Sequence, residues 1–365
     1  MNTKYAAQII HKLQETLIDA VLIPPSNDLQ MLLGFSPFIC ERFQGLFFQA
    51  NGHHFYVCNR LSADEIQPYL QDIPLYIWTD CERYTTVVKD ILAEYQLSNK
   101  KIGALYQTPG SWITELSELC PITWVPFYQH MNETRIIKSN KELDALRQAS
   151  HITDLAWQDA LSYIQPGRSV SEIVNFINSR MIHYGGTAPA CNAYEKKAAG
   201  YPHYVMPKLS HIMESTDSLL VDFGCAVNGY RSDCTRTVFL GKVSSQEREL
   251  YSLVLSANLT AEALLAEGIP CCSIDAAARD VIKKGGCNDF FITRLGHGIG
   301  INGHEAPDIS AVNQKKLMRG MAFTIEPGIY IPGIIGIRIE DVCIINQYGL
   351  PEVLNKTTKE LTILS

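Results

Sequence analysis

The stretch VDFGCAVNGYRSDCTRTVFLG, residues 221–241, decides the reading of this chain. Two strand-like runs flank Asn228–Gly229, a pair whose members both tolerate positive φ and so favour a two-residue hairpin turn. That turn sets Val227 against Tyr230, and counting back places Gly224 opposite Asp233. Asp222 then lies on the same face, a diagonal neighbour of Asp233 at about 7–8 Å between backbones. Two acids side by side repel unless one stays protonated or a cation lies between them. Solvated acids on an exposed sheet face are the plainer alternative for this segment taken alone. The pleat sends Cys225 and Cys234 to the opposite face, so neither thiol is expected to bind metal.

Three further segments offer the same chemistry. In RLGHGIG, residues 294–300, His297 stands between glycines that allow close backbone approach. In FTIEPGIYI, residues 323–331, Glu326 falls within a strand-like run just before Pro327–Gly328. In GIRIEDVCII, residues 336–345, Glu340 interrupts a β-branched apolar run, where an acid is costly to bury unless it is paired or metal-bound. Four carboxylates and one imidazole suit manganese, cobalt, iron or zinc. Two divalent ions would balance the four acids, and a water bridging them becomes a hydroxide nucleophile near neutral pH. Period two also puts Arg338 on the same face as Glu340.

Outward from this region, the chain divides in two. Its 365 residues exceed one compact domain and suit two. Residues 1–130 alternate helical and strand-like patterns as an α/β domain: a helix over 4–18, strands over 20–23, 45–49, 55–57 and 101–105, and a helix over 84–95. His53–His54 beside Asn51–Gly52 reads as an exposed hairpin feature rather than a metal site. From residue 131 to 365 an α+β domain is expected. Ser139 and Glu142 form a capping box for a long helix, followed by helices over 171–184, 245–267 and 273–284. Its strands are expected over 218–223, 230–240, 321–331 and 337–345.

Composition excludes several classes. A hydrophobic share of 46% with 19% charged residues describes a folded globular chain. The net charge of −7 and the absence of basic runs argue against a nucleic-acid or anionic-membrane partner. No stretch approaches the roughly 18 apolar residues of a membrane span. The first 25 residues lack a signal peptide's uninterrupted apolar core, so a cytoplasmic protein is expected. Eleven cysteines without CxxC spacing read as reduced thiols in that compartment.

Taken in order, these segments resemble the pita-bread metallopeptidases, in particular the Xaa-Pro aminopeptidase and prolidase branch. The family pattern is met by Asp-x-Gly at 222–224, Gly-Tyr-x-Ser-Asp-x-Thr-Arg-Thr at 229–237 and Gly-His-Gly-Ile-Gly at 296–300. It continues with His-Glu-x-Pro at 304–307, Thr-x-Glu-Pro-Gly at 324–328 and Arg-x-Glu-Asp at 338–341. The resemblance implies that Asp222 holds one metal, Asp233 and Glu340 bridge both, and His297 and Glu326 hold the other. It also implies that Glu326 shuttles a proton, that His203 and His304 contact the substrate, and that Arg338 lies near the substrate's carboxyl end. The first domain would be creatinase-like and the assembly a homodimer. The implied activity is hydrolysis of the bond preceding proline in small peptides, with two divalent ions, manganese foremost. Hydrolysis of a non-peptide C–N bond, as in ectoine-cleaving relatives, and a non-catalytic peptide-binding module are the alternatives. One segment departs from the pattern: in APACNAYEKKAAGYPH, residues 188–203, Tyr194 and Lys196–Lys197 replace apolar strand positions.

Overall fold

Ala-Val-Leu-Ile at 20–23 forms a strand with every residue buried, because both faces of its sheet are covered. Val21 and Ile23 pack with Ile9, Leu13 and Ile66 on one side, and Ala20 and Leu22 with Val88, Leu92 and Trp112 on the other. A strand sandwiched in this way needs no polar alternation. The computed structural model describes residues 1–201 and 209–364. Within them the chain separates into two units, Met1–Thr134 and Arg135–Ser365.

The first unit is a six-stranded mixed sheet in the order Leu75–Trp78, Phe55–Asn59, Gly45–Gln49, Ala20–Ile23, Lys101–Ala104 and Thr123–Pro126. The turn at Asn51–Gly52 joins two antiparallel strands, as its sequence suggests. The histidine pair behaves unequally there. His53 is exposed, but His54 stacks on Phe48 at 3.7 Å and accepts the Gln49 N–H. Burial, with His53 alongside, lowers the His54 pKa to about 4. His54 is therefore a neutral packing residue rather than an exposed one.

Among the described residues, the second unit layers helices on two five-stranded sheets, with a separate two-stranded hairpin of Gly328–Ile331 and Ile335–Arg338. Glu142 accepts the Ser139 N–H at 2.6 Å, closing the expected cap of the helix Asn140–Tyr163. That helix and Val170–His183 pack Ala156, Trp157, Ile173 and Ile177 against Leu219, Val221 and Phe223. The sheet beneath them runs Thr362–Leu364, Cys234–Leu240, Ser218–Val227 and Thr187–Glu195. Helices Ser245–Ala263 and Cys271–Lys284 cover a second sheet, whose order is Glu305–Ile309, Gly296–Gly298, Ala322–Ile325, Asp341–Ile345 and Pro351–Val353. The first of these helices ends earlier than its apolar pattern suggests, and the chain turns through Gly268 at φ 88°.

The structure corrects three strand expectations in the same way. The run over 321–331 breaks between Ile325 and Gly328, that over 337–345 between Arg338 and Asp341, and that over 230–240 between Arg231 and Cys234. Glu326, Glu340 and Asp233 occupy these breaks. Each leaves the regular ladder where its carboxylate turns toward a common cavity.

Candidate metal centre

The hairpin at 221–241 fixes the first two acids. Val227 pairs with Tyr230 and Ala226 with Arg231, and beyond the gap Phe223 pairs with Cys234 and Asp222 with Thr235. The offset is the same on both sides of the break, so the register counted back from Asn228–Gly229 holds. Gly224 cannot be replaced here, since a Cβ on it would lie 2.1 Å from the Ser232 carbonyl oxygen. Its absence lets the strand bearing Asp233 close in. Cys225 and Cys234 are 1% and 0% exposed and face the helices on the opposite side.

Asp233, His297 and Glu340 converge, their nearest ligand atoms all lying within 4.8 Å of one another. His297 Nε2 stands 3.2 Å from Glu326 Oε1 and 3.9 Å from Asp233 Oδ2. Its Nδ1 lies 3.1 Å from the Gly298 carbonyl oxygen, which can only accept. Nδ1 therefore carries a proton, and Nε2 is the nitrogen that faces the acids. Thr324 accepts the His297 N–H at 3.1 Å and donates to Glu326 Oε1 at 2.9 Å, locking two of the groups together. Thr235 does the same on the other side, donating to Glu340 Oε2 at 2.5 Å and accepting from Arg338 Nε at 2.9 Å.

Arg338 faces the cavity as its strand parity requires, but all three guanidinium nitrogens are engaged. Beyond Thr235, Nη1 donates to the Tyr330 hydroxyl at 3.1 Å and Nη2 to Asp222 Oδ2 at 2.6 Å. Asp222, Asp233, His297, His304, Glu326 and Arg338 line one cavity of about 440 Å³, together with Asn192, Tyr194, Thr293 and Arg294. His304 is exposed, its ring 4.0 Å from that of His297. His203 lies outside the described residues.

The electrostatics are those of too much negative charge in too small a space. Burial, then the neighbouring Asp222, drives the Asp233 carboxyl well above its ordinary value. Burial, then Asp233, Glu326 and Asp222, does the same to Glu340. Burial is the largest influence on Glu326 and opposes its charge, but the His297 hydrogen bond and charge, the Arg338 charge and the Thr324 hydrogen bond together outweigh it and hold that acid below its usual range. Burial works against charge on His297 too, yet Glu326 and Asp233 raise its pKa. Asp233 and Glu340 thus lack the positive charge that would favour their ionised forms. Hard oxygen donors with one imbalanced cation, Arg338, and an imidazole nitrogen turned toward them suit divalent ions.

Comparison with known proteins agrees with this geometry. Residues 144–347 match Metallopeptidase family M24, and residues 6–137 match the Creatinase/Prolidase N-terminal domain. The chain belongs to metallopeptidase family M24. It is thus a metallopeptidase of the pita-bread fold with a creatinase-like N-terminal domain. It is 36% identical over 233 residues to an Xaa-Pro dipeptidase of Pyrococcus furiosus, covering 63% of this chain and 66% of that protein. An uncharacterised peptidase of Staphylococcus aureus is 28% identical across 97% of this chain and 99% of its own. Among solved structures, a dipeptidase from Pyrococcus horikoshii superposes with a TM-score of 0.89 at 30% identity, covering 99% of this chain and 100% of that one. A prolidase from Thermococcus sibiricus gives 0.91 at 29% identity, with 99% and 97% covered.

Within this M24 peptidase, sequence reasoning missed Thr235, Thr324 and Tyr330 as partners of the site. Parity could have found all three. Thr324 is two residues before Glu326, Thr235 two after Asp233, and Tyr330 two from Gly328 on the strand that follows Glu326. Asn192 and Tyr194 are the cavity-facing pair of the atypical segment. Asn192 lies opposite Asp222 in register, and Ala193 between them packs into the helical core.

Proposed function

We propose that this M24 metallopeptidase hydrolyses the peptide bond preceding proline in small peptides, with two divalent ions at Asp222, Asp233, His297, Glu326 and Glu340. One observation carries the reading. Four carboxylates and the His297 imidazole meet in a cavity of about 440 Å³, and two of the acids are driven toward their neutral forms for want of positive charge. The Xaa-Pro dipeptidase and prolidases among its relatives supply the substrate class.

In this reading Asp222, Asp233, His297, Glu326 and Glu340 would together hold the two ions. Bound there, the ions, with manganese favoured, polarise the scissile carbonyl and lower the pKa of water. Glu326, oriented by Thr324, takes the proton of the attacking water and returns it to the leaving nitrogen. His304, at the mouth beside His297, donates to the substrate carbonyl, and His203 shares that role. The resemblance further supports a homodimer and a cytoplasmic location.

Arg338 has a conditional role. Were Asp222 to turn to an ion, the Nη2 donor that now holds it would become available for a charge-assisted hydrogen bond to a substrate carboxylate, with Nε and Nη1 still held by Thr235 and Tyr330. The deciding experiment is a hydrolysis panel with added manganese: an Xaa-Pro dipeptide, its C-terminal amide, an Xaa-Pro-Yaa tripeptide, a Met-Ala peptide and ectoine. Proline peptides should be cleaved and Met-Ala spared. Arg338→Lys should weaken the free-acid dipeptide by about 1–3 kcal/mol more than its amide. Equal losses on both would make Arg338 a structural partner of Asp222 alone. Asn192 and Tyr194 make the cavity wall polar, which favours retaining hydrolysis of a small cyclic C–N bond as the second reading. Turnover of ectoine without turnover of proline peptides would select it.

A further inference from the structure

Glu305 immediately follows His304, and its side chain is 1% exposed. A carboxylate this deep is costly unless compensated. Lys138 Nζ lies 3.0 Å from Oε2 and Arg135 Nε 3.4 Å from Oε1, two cations from the segment preceding the long helix. Both are 5% exposed. Lys138 is itself pinned by its backbone N–H, which donates to the Gly320 carbonyl at 2.8 Å.

The same carboxylate also shapes the loop that carries His304. Its Oε1 accepts the Asn302 N–H at 3.1 Å. Oε2 occupies the space beside Gly300, where an added Cβ would lie 2.5 Å away. Gly300 in turn accepts the Arg231 N–H at 2.8 Å, tying the loop to the hairpin that bears Asp233. His304 is exposed, so burial does not fix its ring against His297. What fixes its backbone is the folded loop, and that loop is closed around a buried, charge-compensated carboxylate.

We propose that Glu305, clamped by Lys138 and Arg135, is the positioning residue for His304. The proposal rests on the reading of His304 as a substrate-contacting group. A misplacement of about 1 Å in such a group can cost up to about 100-fold in rate. The test is a double-mutant cycle on Xaa-Pro dipeptide hydrolysis with His304→Ala, Glu305→Gln and the pair, metal content being measured for each. His304→Ala should lose activity, and Glu305→Gln should lower kcat about 10- to 100-fold at unchanged metal content. The double variant should be no worse than His304→Ala. Multiplicative losses, or metal lost with Glu305→Gln, would overturn the positioning role while leaving His304 in place. Wild-type activity in His304→Ala would remove the role of His304 itself, a different signature. Should Glu305→Gln fail to fold, Lys138→Gln removes one cation of the clamp and enters the same cycle with the same expectations.

Discussion

Asp233→Asn and Glu340→Gln should each lose bound metal and most turnover, whereas Cys234→Ser should retain both. The contrast follows from register. Asp233 sits in the strand break opposite Gly224 with its carboxylate in the cavity, and Cys234, one residue on, is fully buried in the core beneath the helices. In the metal-free protein burial and the neighbouring acids disfavour the charged form of each acid, a penalty that a coordinated ion relieves. The amides keep the shape but supply one donor fewer and one charge less. The loss in kcat/KM should be at least on the order of 10²–10³-fold, as for groups that act on developing charge in the transition state. In metal-free protein the same amides remove a like-charge repulsion, so thermal stability should not fall below that of metal-free wild type. Metal analysis beside steady-state kinetics checks the prediction. A Cys234→Ser protein that emptied the site, with acid variants that kept it, would mean that the hairpin faces the other way.

Asp341→Ala should leave the metal ligands in place and instead destabilise the catalytic unit, although Asp341 adjoins Glu340 in sequence. Parity again separates the two. Asp341 is wholly buried behind the site, with Arg236 Nη2 at 2.7 Å from Oδ1 and Lys359 Nζ at 2.8 Å from Oδ2. Arg236 also donates to the Glu340 carbonyl at 2.7 Å and to the Thr357 and Thr358 carbonyls at 3.1 and 2.9 Å. Lys359 reaches Glu262 at 2.6 Å. One carboxylate thus ties the C-terminal segment and the helix Ser245–Ala263 to the strand after Glu340. Removing one member of a buried ion group leaves its partners uncompensated and costs about 3–5 kcal/mol. Denaturant unfolding of metal-free protein isolates this from ligand linkage. A change below about 1 kcal/mol, the size of an ordinary surface substitution or less, would contradict the assignment.

How much of this was legible beforehand depends on the range of the interaction. The hairpin register is a local matter of Asn228–Gly229 and the pleat, and it held. So did the capping box at Ser139 and Glu142. The break at Glu340 was hidden, because Ile337, Ile339 and Val342 around it read as continuous strand, whereas Pro327–Gly328 after Glu326 and Arg231–Ser232 before Asp233 were weaker strand signals that the continuous reading passed over. What interrupts the ladder there is the demand of residues about a hundred positions away, which periodicity cannot report. The partners of Arg338 were hidden for the same reason. Tyr330 lies on the neighbouring strand of its hairpin, but Asp222 and Thr235 are 116 and 103 residues distant. The clamp on Glu305 joins residues 167 positions apart. Tyr194 could be recognised as unusual, but its place in the cavity wall, and that of Asn192, emerged only from their pairing with the Ser218–Val227 strand.

The most direct test of the dinuclear reading is metal depletion followed by titration with manganese. The depleted chain should be inactive on an Xaa-Pro dipeptide and should unfold at a lower temperature, because ions that bind only the folded state stabilise it by mass action. Activity and stability should return together and saturate at two ions per chain. Full hydrolysis by protein whose measured metal content is near zero would contradict the account.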